Sequence, residues 1–326
     1  MILRYRFFEG DSIMNQRRNN IKGSLILGTA ALIWGLAFVA QSDAADKVPP
    51  FLFNSLRSFI GAFFLLAILW IKKLTTHTPI LPTEPKNRKK VWVGGIFCGV
   101  FLTISVNLQQ FGISSYPTGA AAEARSGFLT ALYVVMVPII TLFMGKKLNL
   151  PTVGAILIAT GGFYLLCLSD GISGIYLGDL LVLLCAVSFS FHILSVDHYS
   201  GFMNGMLLSM LQFTVCGILS GLLSIGLEEV IWENILSAAF PILYTGIMSS
   251  GVAYTMQIYG QKYAEPAIAS LSMSLESVFA ALGGWVIAGN ALSLLEFLGC
   301  ALVFLAIVLA QMPQLLESRR AKKQEK

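Results

Sequence analysis

The second half of this chain repeats the first. The stretch Gly23–Trp34 (GSLILGTAALIW) is echoed by Gly178–Phe189 (GDLLVLLCAVSF), with Gly23 on Gly178, Ala31 on Ala186 and Trp34 on Phe189. The same shift of 155 carries Arg57 onto Gln212. Further along, Gln109–Gly112 (QQFG) meets Gln257–Gly260 (QIYG) at a shift of about 148. Each copy is almost wholly apolar. Such a chain has to build two similar apolar units. If each unit crosses a bilayer an odd number of times, the second inserts upside down.

Apolar residues make up 56% of the 326 and charged residues 12%. A soluble chain carries about twice that charge, so this surface needs lipid around it as well as a protein core. The net charge of +5 does not read as a nucleic-acid partner, because the basic residues sit at the ends of apolar runs. Cys98, Cys167, Cys185, Cys216 and Cys300 all lie inside apolar runs. They form no CxxC pair and no Cys/His cluster with metal spacing. They read as small buried thiols, and no cofactor or metal is implied. The first twenty residues are polar and basic. The apolar run after Lys22 is longer than the roughly 7–15 residues of a signal-peptide core, so it reads as a retained first span. Met14 is an alternative start, with residues 1–13 an extension without fold content.

A spanning helix needs about 20 apolar residues. Ten segments qualify: 22–42, 51–71, 91–112, 118–143, 151–169, 178–197, 204–226, 238–259, 265–288 and 293–312. The predicted fold is an all-α membrane protein of ten transmembrane helices. They form two inverted five-helix repeats, 22–169 and 178–312, between a cytoplasmic N-terminal tail (1–21) and a basic cytoplasmic tail (313–326). The stretch 72–90, with Pro79, Pro82 and Pro85 among charges, reads as a polar loop.

Loop charge sets the orientation. With the N-terminus inside, all but three of the 22 lysines and arginines fall on the inner side; the exceptions are Lys47 outside and Arg57 and Arg125 within spans. Asp43, Asp46, Asp170, Glu228, Glu229 and Glu233 collect outside. Lys146 and Lys147 follow the fourth span on the inner side, whereas the matching Gly289–Ala291 junction after the ninth carries no positive charge. Both termini are therefore expected in the cytoplasm of a cell-membrane protein. Trp70 and Trp92 flank the inner loop at headgroup depth. Gly95-xxx-Gly99 and Gly217-xxx-Gly221 are small faces suited to close helix contact.

With these features in order, the chain resembles the EamA-type members of the drug/metabolite transporter superfamily. The likeness is carried by Ala-Leu-Ile-Trp34-Gly35 in the first span, Arg57–Gly61 in the second, and Gly178-Asp179 opening the sixth. Glu265-Pro266 opening the ninth span and Leu275–Trp285 within it complete the set. The resemblance spans about residues 22–312. It implies five-plus-five inverted topology, a cavity between the halves and alternating access. One departure stands out. The family often shows Gly-Glu-Arg-Leu after spans four and nine, where this chain has Gly145–Leu148 (GKKL) and Gly289–Leu292 (GNAL). Any role of that glutamate is not carried over.

A charge at mid-bilayer costs about 2.5–3.5 kcal/mol, so polar side chains within spans should face the protein interior. Glu276 lies ten residues into the ninth span, about 15 Å deep, on one face with Ser272 and Gly283. It is either a cavity carboxylate for a cationic group or a proton, or a buried carboxyl hydrogen-bonded across helices. Of Glu123 and Arg125, Arg125 is the better ligand candidate, since a guanidinium forks a carboxylate; a local pair with other helices, or snorkelling to headgroups, is its structural alternative. Glu123, two residues earlier, cannot share its face. Arg57, nearer the outer surface, reads as a packing or snorkelling residue. Thr103, Asn107 and Gln110 recur as Ser250, Tyr254 and Gln257 at a shift of 147. This repeated polar stripe is expected to line a cavity, with interhelical hydrogen bonding as its structural alternative. His192, at the place of Ala37, is a packed imidazole or a proton-coupling site. Trp34 is a core aromatic or a stacking wall.

No HExxH, GxSxG, P-loop or paired-Asp motif occurs, which disfavours an enzyme. The favoured function is a secondary transporter, the usual setting for inverted repeats. It would move a small polar organic metabolite, an amino acid or similar zwitterion, with protons as a candidate coupling ion. The expected cavity residues are Trp34, Asn107, Gln110, Arg125, Tyr254, Gln257 and Glu276. A membrane scaffold or sensor, and less so a membrane-embedded lipid enzyme, are the alternatives.

Overall fold

The computed structural model describes residues 2–77, 79–82, 84–143, 150–167, 175–200, 203–263, 266–290, 292–306 and 308–309. The expected basic tail at 313–326 and the Lys146–Lys147 junction lie outside the described residues. Every regular element among the described residues is helical, and none is a strand. Five helices are long and apolar enough to cross a membrane: Ile21–Ala45, Pro50–Thr76, Asn87–Ser114, Leu177–Val196 and Gly205–Leu227. The first belongs to α1 (Ile2–Ala45), the next is α2 (Pro50–Thr76), and the third belongs to α3 (Pro85–Ser114). The later two belong to α7 (Leu177–Ser200) and α8 (Gly205–Leu227), with α4 (Ala122–Ala131), α5 (Tyr133–Phe143) and α6 (Leu150–Cys167) between. Short α9 (Trp232–Ser237) and α10 (Ala239–Leu243) lead into a π-helical segment (Tyr244–Ala253), then α11 (Tyr254–Tyr263) and α12 (Pro266–Ala288). A last apolar helix, α13, spans Leu294–Ala306.

Two of the expected spans are interrupted. The run 118–143 divides at Leu132, whose N–H reaches the Leu129 carbonyl rather than a full turn back. The run 238–259 contains Pro241, which has no N–H to give. Thr245 Oγ1 turns back onto the Pro241 carbonyl at 2.7 Å. Beyond it the helix widens, with Tyr254 N–H bonding Ser249 O five residues back. π-Turns of this kind gather at functional sites. The loop expected at 72–90 is shorter than its charges suggested. α3 begins at Pro85, where proline is tolerated because a first-turn N–H has no intrahelical partner.

The surface is apolar, and many polar side chains are buried in the interior. Phe240 is 75% and Trp285 61% exposed, while Asn54, Gln110, Asp179 and Gln212 are fully buried. A water-soluble fold would reverse this; a bilayer favours it. α1 packs on α12 and α11, α2 on α8 and the π segment, and α3 on α7 and α8; α4 packs on α12 and α7. The glycine faces permit close contact: an added Cβ at Gly95 would stand 2.7 Å from Leu211 Cβ, and one at Gly99 2.5 Å from Val215 Cβ.

Candidate functional site

A cavity of ≈ 60 Å³ lies among these helices, several times the space one water requires. α1 presents Trp34, Ala37, Phe38 and Gln41 to it. Spacings of three, four and seven residues put all four on one helical face. α7 presents Phe189, His192 and Ile193, which are Trp34, Ala37 and Phe38 moved by 155. α3 supplies Val106 and Gln109, and α11 supplies Tyr254 and Gln257, a pair of pairs related by 148. Arg57 (α2), Thr130 (α4), Tyr133 (α5), Phe213 (α8), Ser249 and Ser250 (π segment) and Glu276 (α12) complete the wall.

Opposite formal charges share this wall. Glu276 is buried and its Oε1 accepts the Tyr133 hydroxyl at 3.0 Å. Arg57 is also buried, and its Nη1 donates to Gln41 Oε1 at 3.2 Å. Its Nε has no partner, and the indole Nε1 of Trp34 has none either. Gln109 Nε2 donates to Thr130 Oγ1 at 3.1 Å. His192 Nε2 lies 3.0 Å from Gln212 Oε1; since a carbonyl oxygen accepts, that nitrogen carries the hydrogen. The Trp34 and Tyr254 rings meet edge to face with centroids 5.1 Å apart. Among the described residues no three His, Cys, Asp or Glu side chains come together as a metal site.

Of the residues singled out in the sequence, Trp34, His192, Tyr254, Gln257 and Glu276 share this cavity. Asn107, Gln110 and Arg125 do not line it. Asn107 accepts from Asn54 Nδ2 at 2.9 Å and donates to Ser220 Oγ at 2.8 Å, tying α3 to α2 and α8. Gln110 donates to the Gln41 backbone carbonyl at 3.0 Å. Arg125 holds Asp179 at 3.1 Å and Glu296 at 2.9 Å, with the Tyr176 ring 4.8 Å from its guanidinium carbon.

The EamA-like transporter family model matches residues 21–168 and again 176–312. The chain belongs to the EamA-like transporter family. It is 30% identical over 289 residues to an uncharacterized transporter of Archaeoglobus fulgidus, covering 88% of this chain and 84% of that one. It is 23% identical to the uncharacterized transporter YoaV of Bacillus subtilis, over 87% and 94% of the two chains. The uncharacterized inner membrane transporter YedA of Escherichia coli K12 is also 23% identical, over 85% and 87%. A solved crystal structure shares the fold at a TM-score of 0.63, with 23% identity, 93% of this chain and 99% of that one covered. This EamA-like protein is thus a multi-pass membrane transporter.

Arg57, Gln41, Gln109 and Tyr133 line the cavity of this EamA-like chain without having been placed there from the sequence. For Gln109 a signal was present. The sequence offered two registers for α3 on α11, 147 and 148, and the cavity uses 148. That register pairs Val106 with Tyr254 and Gln109 with Gln257. One residue turns a helix by about 100°, which rotates Asn107 and Gln110 into the packing between helices. Arg57 carried no such signal, because depth along a helix does not reveal whether a carboxylate waits opposite.

Proposed function

We propose that this protein is a secondary transporter that moves a small polar organic metabolite, an amino acid or similar zwitterion, by alternating access through the central cavity. One observation carries this reading: both halves contribute matching faces to one cavity whose wall holds Arg57 and Glu276. Ten spans in two inverted repeats, 22–169 and 178–312, support alternating access, because either half then reaches the other's conformation by exchanging roles. The packing agrees with that symmetry. Moving each span five places turns α3 on α7 into α11 on α1, and α3 on α8 into the π segment on α2. Both termini face the cytoplasm of the cell membrane in this scheme.

Glu276, with His192 as a second candidate, is the proton-coupling or amine-binding group. Glu276→Gln keeps the shape and removes the charge. Uptake into vesicles should fall by about tenfold or more at unchanged protein level, the loss expected for a hydrogen bond to a charged group. Normal transport at every pH tested would make the carboxylate structural. For orientation, single cysteines replacing Lys47 or Val230 should react from outside and one replacing Lys86 should not. Strong outside labelling at 86 would overturn the topology.

A further inference from the structure

Arg57 is a cavity cation whose own demands the protein leaves partly unmet. A guanidinium stays charged at any physiological pH and offers five N–H donors. Arg57 is 4% exposed. Its single hydrogen bond goes to a neutral amide, Gln41 Oε1, at 3.2 Å, and the Phe53 ring stands 5.5 Å from its carbon. Among the described residues none of the ion pairs within 4 Å includes it. Its Nε is buried without a partner. A buried charge is retained where something compensates it. Glu276 faces the same cavity but is engaged by Tyr133 rather than by Arg57. A second buried donor on the wall, Trp34 Nε1, is equally unpartnered.

We infer that Arg57 is the receptor for a carboxylate on the transported solute, with the Trp34 indole N–H a second unpartnered donor on the same cavity wall. The inference rests on the transport reading above and narrows its substrate class. A carboxylate matches the planar fork of a guanidinium and brings one negative charge to one free cation. A phosphate monoester brings close to two, and among the described residues the wall holds no second arginine or lysine. Trp34, Phe189, Phe213 and Tyr254 set rings into the rest of the wall between Gln109, Ser250, Gln257 and Glu276, so the body beyond the carboxylate pairs an apolar or aromatic part with a polar one. Gln41 is a positioning residue: its carbonyl oxygen holds one nitrogen of Arg57 and leaves Nε free.

The test uses the full chain in proteoliposomes loaded with a defined mixture. It contains the standard amino acids, the amide of each, simple aliphatic and aromatic carboxylates, the corresponding amines, and sugar phosphates. Release is followed by mass spectrometry. The solutes released should all carry a carboxylate, and each amide should move about tenfold or more slowly than its acid, the cost of a lost charge-assisted hydrogen bond. An amide or amine that moves as fast as its acid, or release confined to phosphates, would overturn the carboxylate receptor while leaving the transporter intact. Vesicles that release nothing would sink the transport reading and this inference with it. Arg57→Gln should raise KM for the best carboxylate by about tenfold or more, with Arg57→Lys recovering part of the loss. Trp34→Phe, which keeps a ring and removes only the N–H, should raise KM severalfold even if the Arg57 variants fail to fold. Unchanged KM in either Arg57→Gln or Trp34→Phe would refute the assignment to that residue.

Discussion

Arg57 and Arg125 are both buried arginines of the first half, 4% and 6% exposed, and their surroundings treat the charge differently. Arg125 is enclosed by acids. Asp179 and Glu296 each lie within ion-pair distance. Asp179 is further held by the Tyr116 hydroxyl at 2.8 Å and the Tyr176 N–H at 3.0 Å. Glu296 accepts the Ser293 N–H at 3.0 Å at the start of α13. This network ties the beginnings of α4, α7 and α13 together. Arg57 faces an amide and open space. Burial alone therefore does not say what a charge is for. A saturated arginine joins helices, whereas an unsaturated one on a cavity wall is available to a solute.

The contrast breaks first on stability. Arg125→Gln leaves the fully buried Asp179 without its cation, which should cost about 3–5 kcal/mol; the bonds from Tyr116 and Tyr176 place the expected loss toward the lower end. Arg57→Gln removes an uncompensated buried charge and should leave stability unchanged or raise it. Thermal unfolding of both variants in detergent measures the difference, and equal losses would erase the distinction. A smaller effect is expected from Gly61→Ala, whose new Cβ would lie 2.7 Å from Ser250 Cβ. Prying the helix of Arg57 from the π segment should cost about 1–3 kcal/mol and slow uptake. Gly28→Ala, with nothing within 4 Å of the added atom, serves as its control; equal effects would mean that the α2 contact is not tight. Smallest is the pair Gln109→Leu and Gln110→Leu. Each should lose about 0.5–1.5 kcal/mol of stability, but only Gln109→Leu should slow uptake. Slower uptake in Gln110→Leu alone would restore the register of 147.

Several features were legible without coordinates. The apolar runs of α1, α2, α7 and α8 lie where hydropathy put them, within a few residues at each end, because length and composition are local sums. The repeat at 155 was legible too, and it reappears as matching cavity faces on α1 and α7. Glu276, Trp34, Tyr254, Gln257 and His192 were found because a polar or broad aromatic side chain deep in an apolar helix is conspicuous. The π segment was foreshadowed by Pro241, but its widened turn depends on Thr245 bonding back to carbonyls and on Gly246 and Gly251 lying against α2. Neither condition shows in composition.

The sequence by itself determined that this chain is a duplicated, membrane-embedded helical protein of the EamA-like family, because hydropathy, repeat and motif order are properties of short stretches read in line. The tertiary structure decided which residues meet. Arg125 finds acids 54 and 171 residues away, while Arg57 finds none among the described residues. α3 turns Gln109 rather than Gln110 to the cavity. Both outcomes depend on helix rotation and on neighbours distant in the chain, and an error of one residue, about 100° on a helix, is enough to exchange a wall residue for a packing one.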